Sequence, residues 1–464
     1  MVGKPLARRP QVSIPYTSTD GEHGSVANTD RMSRFLFAST PVLAHSTNPL
    51  PFAARLIEDG HEVTWYAGSA FADRITAIGA HHVPMPAEID LSIPEGYARY
   101  EHLLTGSGVK QIRQTFIEYF YGTVPTSARR LQAILRDFPA DVMLSDGVMR
   151  APQFVHEKGG PVWATYGDGP LPVDEPLIPP FGPGLRYRAG ITGRMRNAMM
   201  RRVAARIFAP VDVARGEIRR ELGLPLDGTG VMGGIMSPFL HLQGCTPGFE
   251  YPIRNVPEQV RWVGALRPDR VAWAKPDWWD HIARTPDRVV HVSQGSLRPD
   301  MTELIVPTVL AMASEPVTVI VTTGGPSATD LANALGRPLP ANVIVSEFVP
   351  YDELLAHVDV FVTNGGYTGL TLALAHGVPI VQAGTTEEKS ENGARLEHSG
   401  AGIALRTSRP TAKQVGDGIR RVLGNDNFVR AARRLAAEMA PHDAGREGAA
   451  HLAELAATRG LVTR

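Results

Sequence analysis

The amino-acid sequence predicts a protein of the α/β class with two domains, and three observations support this. At 464 residues the chain is longer than one hydrophobic core normally serves. Residues 34–66 show the order strand, helix, strand, and residues 358–381 repeat that order around a glycine-rich turn. Buried strands that alternate with helices are typical of a parallel sheet covered on both faces.

The first half opens with a βαβ pattern. Residues 34–39 (RFLFAS) predict a buried strand, an amphipathic helix follows and ends at Gly60, and residues 63–66 predict the second strand. Residues 141–146 (DVMLSD) predict a later strand that ends on Asp146. The loop after the first strand and Asp146 are therefore expected at carboxyl ends of strands, where open α/β sheets bind ligands.

The second half contains a strand, a glycine turn and a helix. Residues 358–362 form a short apolar run, Asn364-Gly365-Gly366 interrupts it, and a helical pattern starts at Tyr367. Free backbone N–H groups and the positive end of the helix dipole meet at such a turn, which makes it a seat for a phosphate group. The alternative is a turn that serves tight packing only.

Three other segments carry weaker signals. Residues 111–121 predict a helix whose aromatic side chains could line an apolar acceptor pocket or belong to the core. Residues 166–184 are rich in proline and glycine and predict an irregular loop or lid. Residues 194–206 predict a basic helix whose charges lie on a solvated face. The aromatic residues of the first segment are Phe116, Tyr119, Phe120 and Tyr121.

Composition limits the partners. Lysine and arginine total 47, as do aspartate and glutamate, so net charge gives no reason to expect nucleic acid or an anionic membrane surface. The single cysteine, Cys245, cannot form an internal disulfide, and no apolar run approaches the ~20 residues of a spanning helix. Residues 1–31 are polar and lack the apolar core of a secretory signal, so we expect a disordered extension, and a start at Met32 is an alternative. We expect a cytoplasmic monomer or homodimer with small-molecule partners.

Over nearly its whole length the chain resembles the inverting glycosyltransferases that include plant and animal UDP-glycosyltransferases and bacterial macrolide glycosyltransferases. Their usual pattern is His-Gly-Gly, a helix, Gly-Val-Pro, and a loop with Asp-Gln and Asn. The resemblance implies two facing Rossmann-like domains (the GT-B fold) with parallel sheets and an interdomain cleft. It divides the chain into an acceptor-binding domain (32–260), a linker (261–286), a nucleotide-sugar donor domain (287–440) and a C-terminal helix (441–464) that braces the first domain.

The resemblance also implies the site residues. His45 falls on the family's catalytic position and Asp146 on the aspartate that pairs with it, although a solvent-facing histidine and a strand-end cap are the plain alternatives. A carboxylate on one imidazole nitrogen raises the basicity of the other. The positions that imply donor binding are Ser293, Gly295, Ser296, Phe348, Val349, Asn364, Gly365, Gly366, Tyr367, Thr368, Gly369, Glu388 and Lys389.

The implied reaction moves a sugar from a nucleotide diphosphate, UDP-glucose being favoured, to a hydroxyl of a macrolide, polyketide, phenolic or sterol-like acceptor. The base takes the acceptor proton, and the glycine turn stabilises the leaving diphosphate. No cofactor is expected. No metal is expected either, since the turn stabilises the diphosphate and the chain has no Asp-x-Asp pair to hold a metal ion beside it.

The chain departs from the family pattern at several donor positions. Asn364 replaces a phosphate-binding histidine, Gly369 a serine, and Leu372 a glutamate that bonds the ribose, while Glu388-Lys389 replace Asp-Gln. The Asn364 amide can still donate to a phosphate but carries no charge, so we expect weaker binding, and the lost ribose contact at Leu372 leaves the identity of the nucleotide open. Two other hypotheses therefore stay open: a non-catalytic nucleotide-sugar-binding activator of a partner enzyme, and a sugar-nucleotide 2-epimerase.

Overall fold

The structure, a computed structural model, describes residues 32–104, 108–267, 273–295 and 300–462. The predicted N-terminal extension and Ser296 lie outside these residues. The described strands are β1 (Arg34–Ala38), β2 (Glu62–Ala67), β3 (His81–Pro84), β4 (Val142–Asp146), β5 (Val162–Gly167), β6 (His241–Gln243), β7 (Val260–Trp262), β8 (Arg288–Ser293), β9 (Val317–Thr322), β10 (Val343–Ser346), β11 (Val360–Thr363), β12 (Ile380–Gln382) and β13 (Gly402–Ala404).

The helices fall into two sets around these strands. In the first half they are α1 (Leu43–Thr47), α2 (Leu50–Glu58), α3 (Ala72–Ala77), α4 (Pro94–Leu104), α5 (Gly108–Gln114), a π-helical segment (Thr115–Tyr121), α6 (Val124–Asp137), α7 (Ala151–Glu157) and α8 (Gly190–Glu221). In the second half they are α9 (Trp279–Arg284), α10 (Ile305–Met312), α11 (Ala328–Leu335), α12 (Tyr351–Leu354), α13 (Tyr367–Ala375), α14 (Lys389–Ser399), α15 (Ala412–Leu423), α16 (Asp426–Met439) and α17 (Ala444–Thr458).

Two parallel sheets form the two halves. The first has the strand order β3-β2-β1-β4-β5-β6-β7 and the second β10-β9-β8-β11-β12-β13. Strand order reverses between β1 and β4 in the first sheet and between β8 and β11 in the second. In open α/β sheets ligands bind at such reversal points, beyond the carboxyl ends of the strands. The predicted α/β class with two parallel sheets is confirmed.

The central strands are apolar on both faces because both faces are covered. In β1, Phe35 and Phe37 belong to one core cluster, whereas Leu36 and Ala38 belong to the cluster on the opposite face. All four side chains are at most 1% exposed. Alternating residues of a strand point to opposite faces, so this pattern requires helices on both sides.

The structure differs from the sequence prediction at several boundaries. The helix expected before Gly60 is α2, whereas the loop expected before it contains the short helix α1; Pro49 ends α1 because proline has no backbone N–H to continue the helix. The helix expected over residues 111–121 changes to π-helical geometry at Thr115. Tyr166 and Gly167 of the expected irregular loop form the end of β5.

The predicted linker, residues 261–286, also contains regular structure. Arg261 and Trp262 form part of β7 at the edge of the first sheet, and α9 lies in the same range. α17 returns to the first half and packs on α2, where Gly448 allows a close approach to the Phe52 ring. None of the helices in the described part of the chain combines the length and apolar character that a bilayer crossing requires.

Candidate active site between the two sheets

The two reversal points face each other. His45 lies in α1, just after β1, and Asp146 is the last residue of β4. On the opposite side, Asn364 follows β11 and begins the turn into α13. Asn48 joins the two sides directly, since its side-chain amide donates a 3.0 Å hydrogen bond to the Thr368 hydroxyl. The fold therefore brings the two predicted motifs into one cleft.

His45 lies beside two carboxylates. Its Nδ1 is 2.6 Å from Oδ2 of Asp168 and 3.6 Å from Oδ1 of Asp146. The side chain keeps 27% of its surface exposed. Burial lowers the pKa of His45, but the negative charges of Asp168 and Asp146 outweigh burial and raise that pKa to about 10. The two carboxylates therefore favour the charged form of the His45 ring.

The nearest carboxylate to His45 is thus Asp168 and not the predicted Asp146. Asp146 is fully buried, and its two oxygens accept hydrogen bonds from the backbone N–H groups of Thr40, Val148 and Met149 and from the Thr40 hydroxyl, at 2.7–3.0 Å. These four donors hold Asp146 against its own loop, so most of its contacts are those of a strand-end cap. Its charge still acts on His45 from 3.6 Å.

Asp168 was missed by the sequence prediction. It directly follows β5, which is the neighbour of β4, so its side chain lies at the same sheet edge as Asp146. Asp168 Oδ2 and His45 Nδ1 are in contact, but neither atom has a hydrogen bond of normal angular geometry among the described residues. An acidic residue at the carboxyl end of a second strand was the signal that could have identified it.

The glycine turn before α13 has the backbone geometry expected of an anion seat. Gly365 has φ of +92°, and a Cβ there would collide with the Gln382 side chain. Gly366 is the N-cap residue of α13, and no side chain accepts a hydrogen bond from the N–H groups of the first helical turn. The helix therefore begins with backbone N–H groups that no capping side chain satisfies.

The side chains of the turn form hydrogen bonds with other groups of the protein. The Asn364 amide donates to the Gln294 carbonyl, which joins this turn to the turn after β8. Tyr367 is 3% exposed, and its hydroxyl accepts a 2.9 Å hydrogen bond from the Gln243 side chain of the first half. Thr368 is bonded to Asn48. The N–H groups of Gly365 and Gly366 form long hydrogen bonds within the turn, to the Thr363 hydroxyl at 3.3 Å and the Asn364 side-chain oxygen at 3.4 Å. A ligand at this turn would therefore be bound mainly by the backbone.

The remaining predicted donor positions fall into two groups. Gly295, with φ of +76°, and Phe348, which is 47% exposed, are accessible near the ends of β8 and β10. Ser293 and Val349 are buried, Ser293 beside the Tyr351 hydroxyl and Val349 in a core cluster with Trp279. Gly369 packs near Tyr351, while Ser296 lies outside the described residues.

Glu388 reaches the cleft from the second half. Its charge contributes to the raised pKa of His45, so the two residues lie within electrostatic range of each other. Burial raises the pKa of Glu388 and the Lys389 ammonium opposes that rise. Lys389 is itself paired with Glu387. Leu372 is 3% exposed and belongs to the core behind the turn, so its side chain is directed away from a donor.

The predicted aromatic segment divides between core and crevice. Tyr121 is fully buried, and Phe116 packs edge-on against Phe208 of α8. Tyr119 and Phe120 line a narrow crevice whose other wall includes Thr40 and residues 148–151, next to the Asp146 loop. These aromatic side chains thus lie next to the Asp146 loop, with little free space between the two walls.

A buried ion-pair triad fixes the proline- and glycine-rich loop. Arg395 of α14 contacts Glu250 of the first half at 2.5 Å and Glu391 at 3.2 Å, and all three side chains are at most 4% exposed. Glu391 accepts hydrogen bonds from the backbone N–H groups of Gly182 and Gly184 at 2.9 and 2.7 Å. The loop expected as a possible lid is therefore tied to both halves.

Within the described ranges, no group of three His, Cys, Asp or Glu side chains has the arrangement of a metal site. The chemistry that the cleft residues offer is proton transfer at His45 and anion stabilisation at the α13 turn.

Comparison with known proteins identifies the family. Residues 312–455 match the family model described as erythromycin biosynthesis protein CIII-like, C-terminal domain. The chain is 37% identical to 4'-demethylrebeccamycin synthase of Lentzea aerocolonigenes, over 89% of this chain and 97% of that protein. It is 30% identical to UDP-glycosyltransferase 2 of Phaeomoniella chlamydospora, over 91% of this chain and 95% of that one.

The fold is also that of a solved glycosyltransferase. The crystal structure of CalG4, the calicheamicin glycosyltransferase, matches with a TM-score of 0.68 at 20% identity, covering 92% of this chain and 99% of that chain. The predicted GT-B architecture is thereby confirmed. The protein is a glycosyltransferase and belongs to the family that includes 4'-demethylrebeccamycin synthase and UDP-glycosyltransferase 2.

Proposed function

We propose that this glycosyltransferase is an inverting O-glycosyltransferase that transfers a sugar from a nucleotide diphosphate donor, with UDP-glucose favoured, to a hydroxyl of a lipophilic small molecule. Macrolides, polyketides, phenolics and sterol-like compounds are the acceptor classes. The observation that carries the proposal is the position of His45, between two carboxylates and opposite the glycine turn of α13. The name of the relative UDP-glycosyltransferase 2 supports a UDP donor.

The base is His45. Its Nδ1 faces Asp168 and Asp146, which leaves Nε2 for the acceptor hydroxyl. The acceptor O–H gives its proton to Nε2 while its oxygen attacks the anomeric carbon and the bond to the diphosphate oxygen breaks. The two carboxylates stabilise the imidazolium that forms. A single displacement of this kind inverts the anomeric centre.

The leaving diphosphate is stabilised by the turn. The backbone N–H groups of Gly365, Gly366 and Tyr367, with the positive end of α13, provide donors for the developing negative charge. This backbone arrangement supports the proposal even though the Asn364 side chain is bonded to Gln294. No metal takes part.

Apolar side chains in one wall of the cleft support this acceptor class. The crevice beside the Asp146 loop is lined by Tyr119, Phe120, Met85, Ile89 and Met149. Aromatic and sulfur-containing side chains favour a planar or otherwise apolar molecule over a polar sugar. The crevice is narrow, so an acceptor can bind there only if the side chains that line it rearrange.

The test is an assay of the purified chain with UDP-glucose and a panel of phenols and macrolides, in the presence of excess EDTA. We expect a glucosylated product by mass spectrometry with inverted anomeric configuration by NMR. His45→Ala should lower kcat by about 10²–10⁴-fold, whereas His102→Ala, on the exposed surface of α4, should have no effect. Full transfer by His45→Ala would refute the assigned base. Release of UDP with an epimerised sugar and no acceptor product would favour the 2-epimerase.

A further inference from the structure

The long helix α8 carries an apolar stripe on its solvent face. Ile191, Met195, Met199 and Val203 recur every four residues, and they are 67%, 67%, 58% and 39% exposed. At 1.5 Å per residue the stripe is about 18 Å long. Its Met and Ile side chains are the ones that a helix normally buries, so this face has an unassigned role.

The same face is basic and has no acidic residue. Residues 190–209 contain five arginines and neither Asp nor Glu. Arg194, Arg202 and Arg206 are exposed, and none of them forms an ion pair with another residue that the structure describes. By contrast, Arg201, on the other side of the helix, is paired with Asp174 at 2.5 Å. Three available cations therefore flank the apolar stripe.

Charge decides what can cover this face. A second copy of the chain would bring arginines against arginines, which disfavours self-association. A helix with an apolar stripe, flanking arginines and no acidic residue has the composition of helices that lie in the interface of an anionic bilayer. Arginine stems can extend along the apolar surface while their guanidinium groups reach the lipid phosphates.

We propose that the stripe and its arginines bind the surface of an anionic phospholipid membrane, with α8 parallel to the bilayer plane. The binding is peripheral: the four apolar side chains insert below the headgroups, and the three arginines pair with the phosphates. This places the first domain of the enzyme on a membrane surface.

The test is flotation of the full-length chain with vesicles of phosphatidylglycerol and phosphatidylcholine in equal parts, against vesicles of phosphatidylcholine alone. We expect binding to the anionic vesicles that weakens with added sodium chloride. Each of Arg194→Glu, Arg202→Glu and Arg206→Glu should weaken binding by about fivefold or more. The double variant Met195→Asp/Met199→Asp should abolish it.

The matched control is Leu310→Asp, which adds the same charge at an apolar position that is 40% exposed on α10 of the second half, away from α8. It should bind anionic vesicles like the wild type. All variants should keep the wild-type circular dichroism spectrum and melting temperature, so that loss of binding is not loss of folding. Absence of wild-type binding at low salt, or equal binding by the double variant, would overturn the proposal. So would a concentration-dependent dimer that the double variant abolishes, because a second copy would then cover the stripe.

Discussion

Replacing Asp168 with asparagine tests how the cleft sets the basicity of His45. The rise of the His45 pKa from 6.5 to about 10 corresponds to roughly 5 kcal/mol of preference for the charged ring. Coulomb energy varies inversely with distance, so Asp168 at 2.6 Å acts about 1.4 times as strongly as Asp146 at 3.6 Å. Removing the Asp168 charge should therefore lower the His45 pKa by about two units or more.

The sign of the effect on rate follows from this pKa. The free-enzyme ratio kcat/KM requires neutral His45, so in the wild type it should increase with pH until about 10. In Asp168→Asn the neutral ring appears at lower pH, so the rising limb should move toward acid. The assay is kcat/KM for glucosyl transfer from UDP-glucose across a pH series with one fixed acceptor.

The control for this experiment is Asp174→Asn. Asp174 is a carboxylate of the same loop, 84% exposed and paired with Arg201, so its removal should leave the profile in place. If the rising part of the pH profile of kcat/KM in Asp168→Asn stays at the wild-type pH, or moves to higher pH, then Asp168 does not raise the pKa of His45.

Three further changes test the donor half and the contact between halves. Gly365→Ala places a Cβ at a backbone position with positive φ, where it collides with the Gln382 side chain. Urea melts should therefore show a loss of about 1–3 kcal/mol in the free energy of unfolding. The control is Gly366→Ala, which should have a stability close to that of the wild type because no atom lies within 4 Å of the added Cβ. A double-mutant cycle of Asn48→Ala and Thr368→Ala, measured by the same melts, should give a coupling of about 0.5–1.5 kcal/mol, and zero coupling would contradict their hydrogen bond. Leu372→Glu buries an unpaired carboxylate in the core, so it should cost about 3 kcal/mol or more and give no lower KM for UDP-glucose; a tighter donor would show that position 372 faces the ribose.

The sequence was sufficient for the class of fold because the signals involved are local. Apolar runs such as residues 34–39 and 360–363, bounded by turn residues, are typical of strands buried on both faces, and the Gly-Gly pair indicated the turn, where Gly365 indeed has positive φ. The same reasoning located His45 and Asp146 at strand ends. Each of these predictions depends on a few consecutive residues.

The contacts of the site could not be predicted because they depend on side-chain direction. Asp168 lies about twenty residues after Asp146, and only the pairing of β4 with β5 brings the two carboxylates together. The backbone N–H of Tyr367 was expected to bind the donor, but the sequence did not indicate that its ring contacts Gln243 and Phe249 of the first half. The basic character of residues 194–206 was visible in the sequence, but the exposure of the apolar side chains on the same helix depends on which of its faces packs against the first half.

The triad of Glu250, Arg395 and Glu391 has a consequence for enzyme engineering. Exchanging whole halves between related enzymes is a direct way to combine one acceptor preference with another sugar. Here a chimera cut between the halves would separate Glu250 from Arg395 and leave a guanidinium buried beside only one carboxylate. The proline- and glycine-rich loop would also lose the hydrogen bonds that the N–H groups of Gly182 and Gly184 donate to Glu391. A functional hybrid of this protein must therefore carry these three residues as a set.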